Sequence, residues 1–93
     1  MSVVILGGNE CMERRYKDLC ASYRCQAKVF TKLSGGLKKK VGDPDLMICF
    51  TSTMSHKLLL GALNEVKGRG TVIEHCRSSS LSALRDVLER HTA

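Results

Sequence analysis

The sequence predicts an α/β fold of the Rossmann-like or flavodoxin-like kind: a small three-layer domain around a four-stranded parallel sheet of order 2-1-3-4. Three observations lead there. Two short apolar runs, Val3 to Leu6 and Leu46 to Phe50, are uninterrupted by polar residues. Each is followed at once by small or hydroxylated residues, Gly7-Gly8-Asn9 and Thr51-Ser52-Thr53. Segments of strand character alternate with stripes of helical period along the chain. A continuous apolar run of this length suits a strand buried on both faces, which a parallel sheet covered by helices requires. Regular alternation then implies right-handed crossovers between neighbouring parallel strands.

Val3 to Leu6 is the first strand, closed by Gly7-Gly8, and Asn9 has the side chain of a helix cap. Met12, Tyr16, Leu19, Cys20 and Tyr23 follow at the spacing of one helix face, while Arg14, Arg15, Lys17 and Asp18 fall off it. Ala27, Val29 and Phe30, interrupted by Lys28, read as a half-exposed second strand. Leu33 to Leu37 breaks the pattern with Ser34-Gly35-Gly36. Leu37 and Val41 suit one short helical turn that leaves Lys38, Lys39 and Lys40 in solvent.

Gly42-Asp43-Pro44-Asp45 is a turn, with Pro44 ending any helix before it. Leu46 to Phe50 is the third strand. Ser55 suits the N-cap of a helix that carries Leu58, Leu59, Ala62, Leu63 and Val66 on one side, and Gly68 and Gly70 stop that helix. Thr71 to Ile73 begins a last strand that turns polar at Glu74-His75. Ser78-Ser79-Ser80 opens a final helix that buries Leu81, Leu84, Val87 and Leu88. The first and third strands are the most apolar and belong in the centre. The mixed second and fourth belong at the edges.

Ninety-three residues predict one domain, residues 1–93, with a modest core. The 43% hydrophobic content excludes a disordered chain, and with no Trp the core must be mainly aliphatic. A formal net charge of +6 favours anionic partners without selecting among them. The N-terminal apolar run is too short for a signal sequence or a membrane span, so a cytoplasmic protein without a membrane contact is expected. The five cysteines, Cys11, Cys20, Cys25, Cys49 and Cys76, include no C-x-x-C pair and read as free thiols of a reducing compartment.

Open parallel sheets bind ligands at the carboxyl ends of their strands, where the strand order reverses. Here that point lies between the first and third strands. The residues brought there are Gly8 and Asn9, Thr51, Ser52, Ser55 and His56, and, from beside them, Arg77 and Ser78. They are small, hydroxylated or cationic, and each loop opens a helix whose free N–H groups favour an anion. Lys57 adds charge. The pattern lacks both G-x-G-x-x-G and the Walker loop, and helix capping alone would also explain these residues.

His56 is expected in the first turn of its helix, where the helix N-terminus favours neutral imidazole, a proton relay or ligand contact. Cys11, followed by Arg14 and Arg15, is the candidate redox thiol. His75 and Cys76 are adjacent in a strand and point to opposite faces, which argues against one metal held by both. His91 is read as an inert residue near a frayed terminus. No metal site is predicted, haem and iron–sulfur ligand spacings are lacking, and the sequence names no cofactor. Lys38 to Lys40 read most simply as a solvated face; stacking aromatics and a helix-turn-helix signature are missing, which leaves nucleic-acid binding as a fourth and weaker option.

Val3 to Gly8, Tyr16, Ser34-Gly35-Gly36-Leu37, Asp45-Leu46, Thr51 to His56 and Arg77 to Leu81 occur in an order and spacing that resemble the bacterial domain-of-unknown-function 2325 family. The resemblance spans nearly the whole chain and implies a Rossmann-like fold. It implies no activity. Many relatives look to have a cysteine two residues before the Ser-His pair, where this chain has Thr53, so no thiol role transfers to that position.

The leading expectation is a ligand-binding or regulatory module that holds an anionic or nucleotide-like metabolite over the loops named above. Two alternatives stand beside it. One is a small hydrolase or phosphoryl-transfer enzyme with His56 as acid/base. The other is an interaction domain without a ligand. A small sheet with exposed edges also suggests a homodimer.

Overall fold

The computed structural model describes residues 1–31, 42–66 and 68–92. Four strands, β1 (Ser2–Leu6), β2 (Gln26–Phe30), β3 (Leu46–Phe50) and β4 (Val72–Cys76), form one all-parallel sheet in the order β2-β1-β3-β4. The helices α1 (Glu13–Ser22), α2 (His56–Val66) and α3 (Leu81–Thr92) cover its faces. The α/β Rossmann-like architecture and the strand order are those the sequence predicts. The short turn expected at 37–41, with its three lysines, lies outside the described residues.

The two central strands are apolar throughout because both of their faces are covered. In β1, Val3 and Ile5 join a cluster with Tyr16, Cys20, Leu84, Val87 and Leu88 of α1 and α3. Val4 and Leu6 join a second cluster with Ala62 and Val66 of α2. In β3, Leu46, Ile48 and Phe50 go to the first cluster, and Met47 and Cys49 to the second. All nine residues from these two runs are buried. Burial of an aliphatic side chain of this size contributes about 1.5–3 kcal/mol, so these runs dominate the core. The edge strands are mixed: β2 buries Val29 and exposes Gln26 and Lys28, and β4 exposes Val72 and His75.

Local chemistry sets the helix limits. Asn9 Oδ1 accepts the Cys11 N–H at 2.9 Å and opens a 3-10 turn, Glu10–Met12, ahead of α1. Cys11, the candidate redox thiol, therefore sits in that 3-10 turn and not in the α-helix that follows it. At the other end Cys25 N–H donates to Cys20 O and Arg24 N–H to Ala21 O, each at 2.9 Å, with Arg24 at φ +60°. This is a Schellman ending, and its usual apolar contact is supplied by Cys20 and Cys25, both buried in the first cluster.

Ser55 O accepts the Leu59 N–H, and Gly68 and Gly70 follow α2 at positive φ. Ser80 Oγ accepts the Ala83 N–H at 3.2 Å and caps α3. That helix runs to Thr92, so His91 is held in its last turn. There His91 Nε2 lies 2.8 Å from Glu74 Oε1 on β4, a partner the sequence reading did not give it.

The amino ends of the strands are closed by the 42–45 turn. Asp45 Oδ2 accepts the Ser2 N–H at 2.8 Å, and Thr71 Oγ1 donates to Pro44 O at 2.7 Å. Arg69 meets Asp43 Oδ1 and donates to Gly42 O, both at 3.0 Å. These contacts occupy Asp43 and Asp45 structurally at the edge opposite the candidate site. Among the described residues no helix is long and apolar enough to cross a membrane.

Candidate functional site

Parallel strands deliver their carboxyl ends to one edge, so the loops after β1, β3 and β4 meet there. The structure ties them together with named bonds. Thr53 Oγ1 accepts the Gly8 N–H at 2.6 Å and donates to Phe50 O at 2.9 Å, joining the first loop to the third. The buried Tyr16 hydroxyl donates to Ser79 O at 2.6 Å and accepts a longer bond, 3.4 Å, from Asn9 N–H, joining the first loop to the fourth. Thr51 Oγ1 donates to Cys76 O at 3.3 Å, joining the third to the fourth.

The two glycines belong to this join. Gly7 and Gly8 have φ of +85° and +87°, where side chains are strained. A Cβ on Gly8 would lie 2.9 Å from Tyr16 Cε2 and 3.1 Å from Phe50 Cδ2. One on Gly7 would lie 2.6 Å from Thr53 Oγ1. Tyr16 and Phe50 support the loops from below, with ring centroids 5.3 Å apart and planes tilted by 43°. The surface is therefore a fixed platform rather than a set of independent loops.

The residues expected to bind divide into two groups. Gly8 and Thr51 contribute their polar groups to the platform itself, so the Gly8 N–H is engaged by Thr53 rather than turned to a ligand. Asn9, Ser52, Ser55, Arg77 and Ser78 are exposed residues of the same loops. Asn9 spends its side-chain oxygen on the Cys11 N–H, and Ser78 Oγ donates to Ser80 Oγ at 3.0 Å. Arg77 and Lys57 are exposed and make no hydrogen bond or ion pair among the described residues. His56 is the first residue of α2.

Sequence reasoning placed Tyr16 in the core stripe and Thr53 in the loop after the third strand, and gave neither side chain a partner. The signal for Tyr16 was available: a tyrosine in an otherwise apolar stripe needs a partner for its hydroxyl. Thr53 carried no such signal, because its bonds depend on the path of the first loop.

The thiols separate by burial. Burial, then the neighbouring Cys25, pushes Cys20 up to about 12. Burial, then Cys76, pushes Cys49 up to about 11. Cys76 is raised by burial and then by Glu74, against the opposing Arg90. These groups stay protonated and behave as small apolar side chains. Cys11 alone among the five is exposed. His75 is exposed while Cys76 is buried, as alternation in a strand requires. Among the described residues no three His, Cys, Asp or Glu side chains stand together as a metal-binding group.

A family model described as an uncharacterized protein conserved in bacteria, DUF2325, matches residues 2–91. No curated protein and no solved structure matches the chain.

Proposed function

Because the chain belongs to the DUF2325 family, whose members are described as uncharacterized, we propose a function from its own site: a module that binds an anionic or nucleotide-like metabolite over the carboxyl ends of β1, β3 and β4. The observation that carries this reading is the cross-tied platform. Three loops are locked to one another by Thr53, Tyr16 and Thr51. Arg77, in the loop after β4, is exposed and makes no hydrogen bond or ion pair among the described residues, and the exposed Lys57 lies at the start of α2. A rigid surface loses little entropy on binding, and an unpaired guanidinium is a fork for phosphate or carboxylate oxygens. Ser52, Ser55, Ser78, Asn9 and His56 supply further polar contacts, and Gly8 keeps the first loop seated on Tyr16 and Phe50 beneath them. The free thiols fit the reducing cytoplasm of a bacterium.

Native mass spectrometry of freshly purified protein, followed by calorimetric titration with AMP and inorganic phosphate, tests the reading. The expected result is a retained mass or a measurable affinity. Arg77→Ala should weaken that affinity by about tenfold or more, and His56→Ala should weaken it too, with unchanged thermal melting. Equal affinity in wild type and both variants would put the ligand elsewhere. A second reading, an interaction domain without a ligand, draws on the internal use of the Gly8, Thr51 and Thr53 polar groups. It predicts a bare mass and no heat of binding with either probe.

A further inference from the structure

The corner between α1 and β2 brings two thiols together. Cys25 N–H donates to Cys20 O and Arg24 N–H to Ala21 O, each at 2.9 Å, with Arg24 at φ +60°. In a Schellman ending the side chains at the two ends of the outer bond meet, and here both are cysteines. Both are buried in the same cluster, Cys20 completely and Cys25 with 5% left exposed. The outer bond also limits the separation of their α-carbons. With N···O at 2.9 Å, the path Cα–C=O···N–Cα pulled straight measures about 6.8 Å, and its bends shorten it. Disulfides span about 4.4–6.8 Å between α-carbons. The backbone therefore already holds the pair within bridging range.

The other thiols lack this arrangement. Cys49 and Cys76 lie on neighbouring strands, one position out of register, but belong to different clusters on opposite faces of the sheet. Cys11 is exposed and belongs to neither cluster.

Within the pair the two thiols are unequal. Cys20 lies wholly in the core, where burial and then Cys25 push it up to about 12. Cys25 lies at the rim. Its S–H donates to the Tyr23 carbonyl at 3.5 Å, and its neighbours Arg24 and Gln26 are exposed. Attack on an oxidant therefore falls to Cys25, which leaves Cys20 to close the bridge.

We infer that Cys20 and Cys25 form a reversible disulfide when the chain meets a peroxide, an oxidant small enough to reach a thiol at the rim. With hydrogen peroxide, the Cys25 thiolate attacks one oxygen. An S–O bond forms, the O–O bond breaks, and the hydroxide released takes up the Cys25 proton as water. Cys20 Sγ then attacks Cys25 Sγ. The S–S bond forms, the S–O bond breaks, and the second hydroxide leaves as water with the Cys20 proton. Two thiols and one hydrogen peroxide thus give one disulfide and two waters. Exchange with a small dithiol restores both thiols.

The test treats the unaltered, folded chain with hydrogen peroxide, removes the excess with catalase, and alkylates the remaining thiols in urea. Trypsin cuts after Lys17, Arg24 and Lys28, which puts Cys20 in peptide 18–24 and Cys25 in peptide 25–28. A bridge then appears in the mass spectrum as two linked peptides that separate on reduction.

This link should exceed every other cysteine link by about tenfold or more in the folded chain, because the fold holds the two sulfurs together. The same treatment in urea should give a broader mixture of links. Cys20→Ser should abolish the link and leave a sulfenic acid on Cys25 that dimedone captures. A folded chain in which Cys11 is oxidised while Cys20 and Cys25 are both still alkylated overturns the proposal. So does a distribution of links that is the same in the folded chain and in urea, which would assign the bridge to unfolded molecules. Should Cys20→Ser fail to fold, the comparison of folded and urea-treated wild type decides the matter.

Discussion

Position 8 shows how one residue couples the fold to the candidate site. Its φ of +87° and its place against Tyr16 and Phe50 both require glycine. Gly8→Ala should destabilise the protein by about 2–4 kcal/mol, from left-handed strain plus displacement of packed rings. Urea unfolding measures this, and a loss below about 1 kcal/mol would show that the rings yield freely. Tyr16→Phe keeps the ring and removes the hydroxyl that holds Ser79 O and Asn9 N–H. A cost of about 1–3 kcal/mol is expected for leaving those groups without that partner. Amide exchange should accelerate in the first and fourth loops and stay unchanged in the 42–45 turn. Uniform acceleration would mean that the hydroxyl supports the whole core instead.

Arg24 gives the opposite sign. It occupies the left-handed position of the Schellman ending, which costs an L side chain about 1–2 kcal/mol. Glycine removes that strain and gives back part of the gain through its freer unfolded chain. Arg24→Gly should therefore raise stability by about 0.5–1 kcal/mol in the same urea assay, and a loss would show that the arginine side chain makes a compensating contact.

Among the elements, the central strands were the most legible, and for a definite reason. Val3 to Leu6 and Leu46 to Phe50 contain no polar residue because neither of their faces meets water, so burial is written into composition alone. The helix stripes were legible because one face of each is wet. The join between loops was not legible: Thr53 reaches Gly8 across 45 positions in the chain, and Tyr16 reaches Ser79 across 63. Such bonds have no local period and follow only from the assembled sheet. The partner of His91 was hidden on the same ground, since Glu74 comes from the neighbouring strand.

The buried thiols on α1 and β3 make the same contrast testable by pH. In the unfolded chain a thiol titrates near its ordinary value of about 8.5. Folded, Cys20 and Cys49 hold their protons to about 12 and about 11. Above the ordinary value the unfolded state therefore binds fewer protons than the folded one, and stability falls as pH rises through that window. The stabilising contribution is complete below it. Urea midpoints measured from neutral pH upward should decline more steeply in the wild type than in a Cys20→Ala/Cys49→Ala variant. Equal slopes would assign the alkaline loss to lysine and tyrosine instead.

At the scale of the whole molecule, the arrangement of the five cysteines reports how cooperatively the domain opens. Cys11 is exposed beside the candidate site, while Cys20, Cys25, Cys49 and Cys76 are buried on α1, before β2, on β3 and at the end of β4. Cys49 belongs to the cluster under α2, and the other three belong to the cluster under α1 and α3. Both clusters share β1 and β3, so neither face can be exposed without breaking contacts that the other face also uses. A small domain built this way should open as one unit.

An aromatic disulfide reagent applied to the native protein is therefore expected to label one thiol per chain rapidly. The other four should follow together, at a rate that urea increases in step with global unfolding. Cys11→Ser should remove the rapid phase alone. A second rapid thiol mapped to Cys76 would mean that the β4 edge opens by itself, without disruption of β1 or β3. In that case sub-global opening, rather than the shared core, would govern access to the loop that carries Arg77.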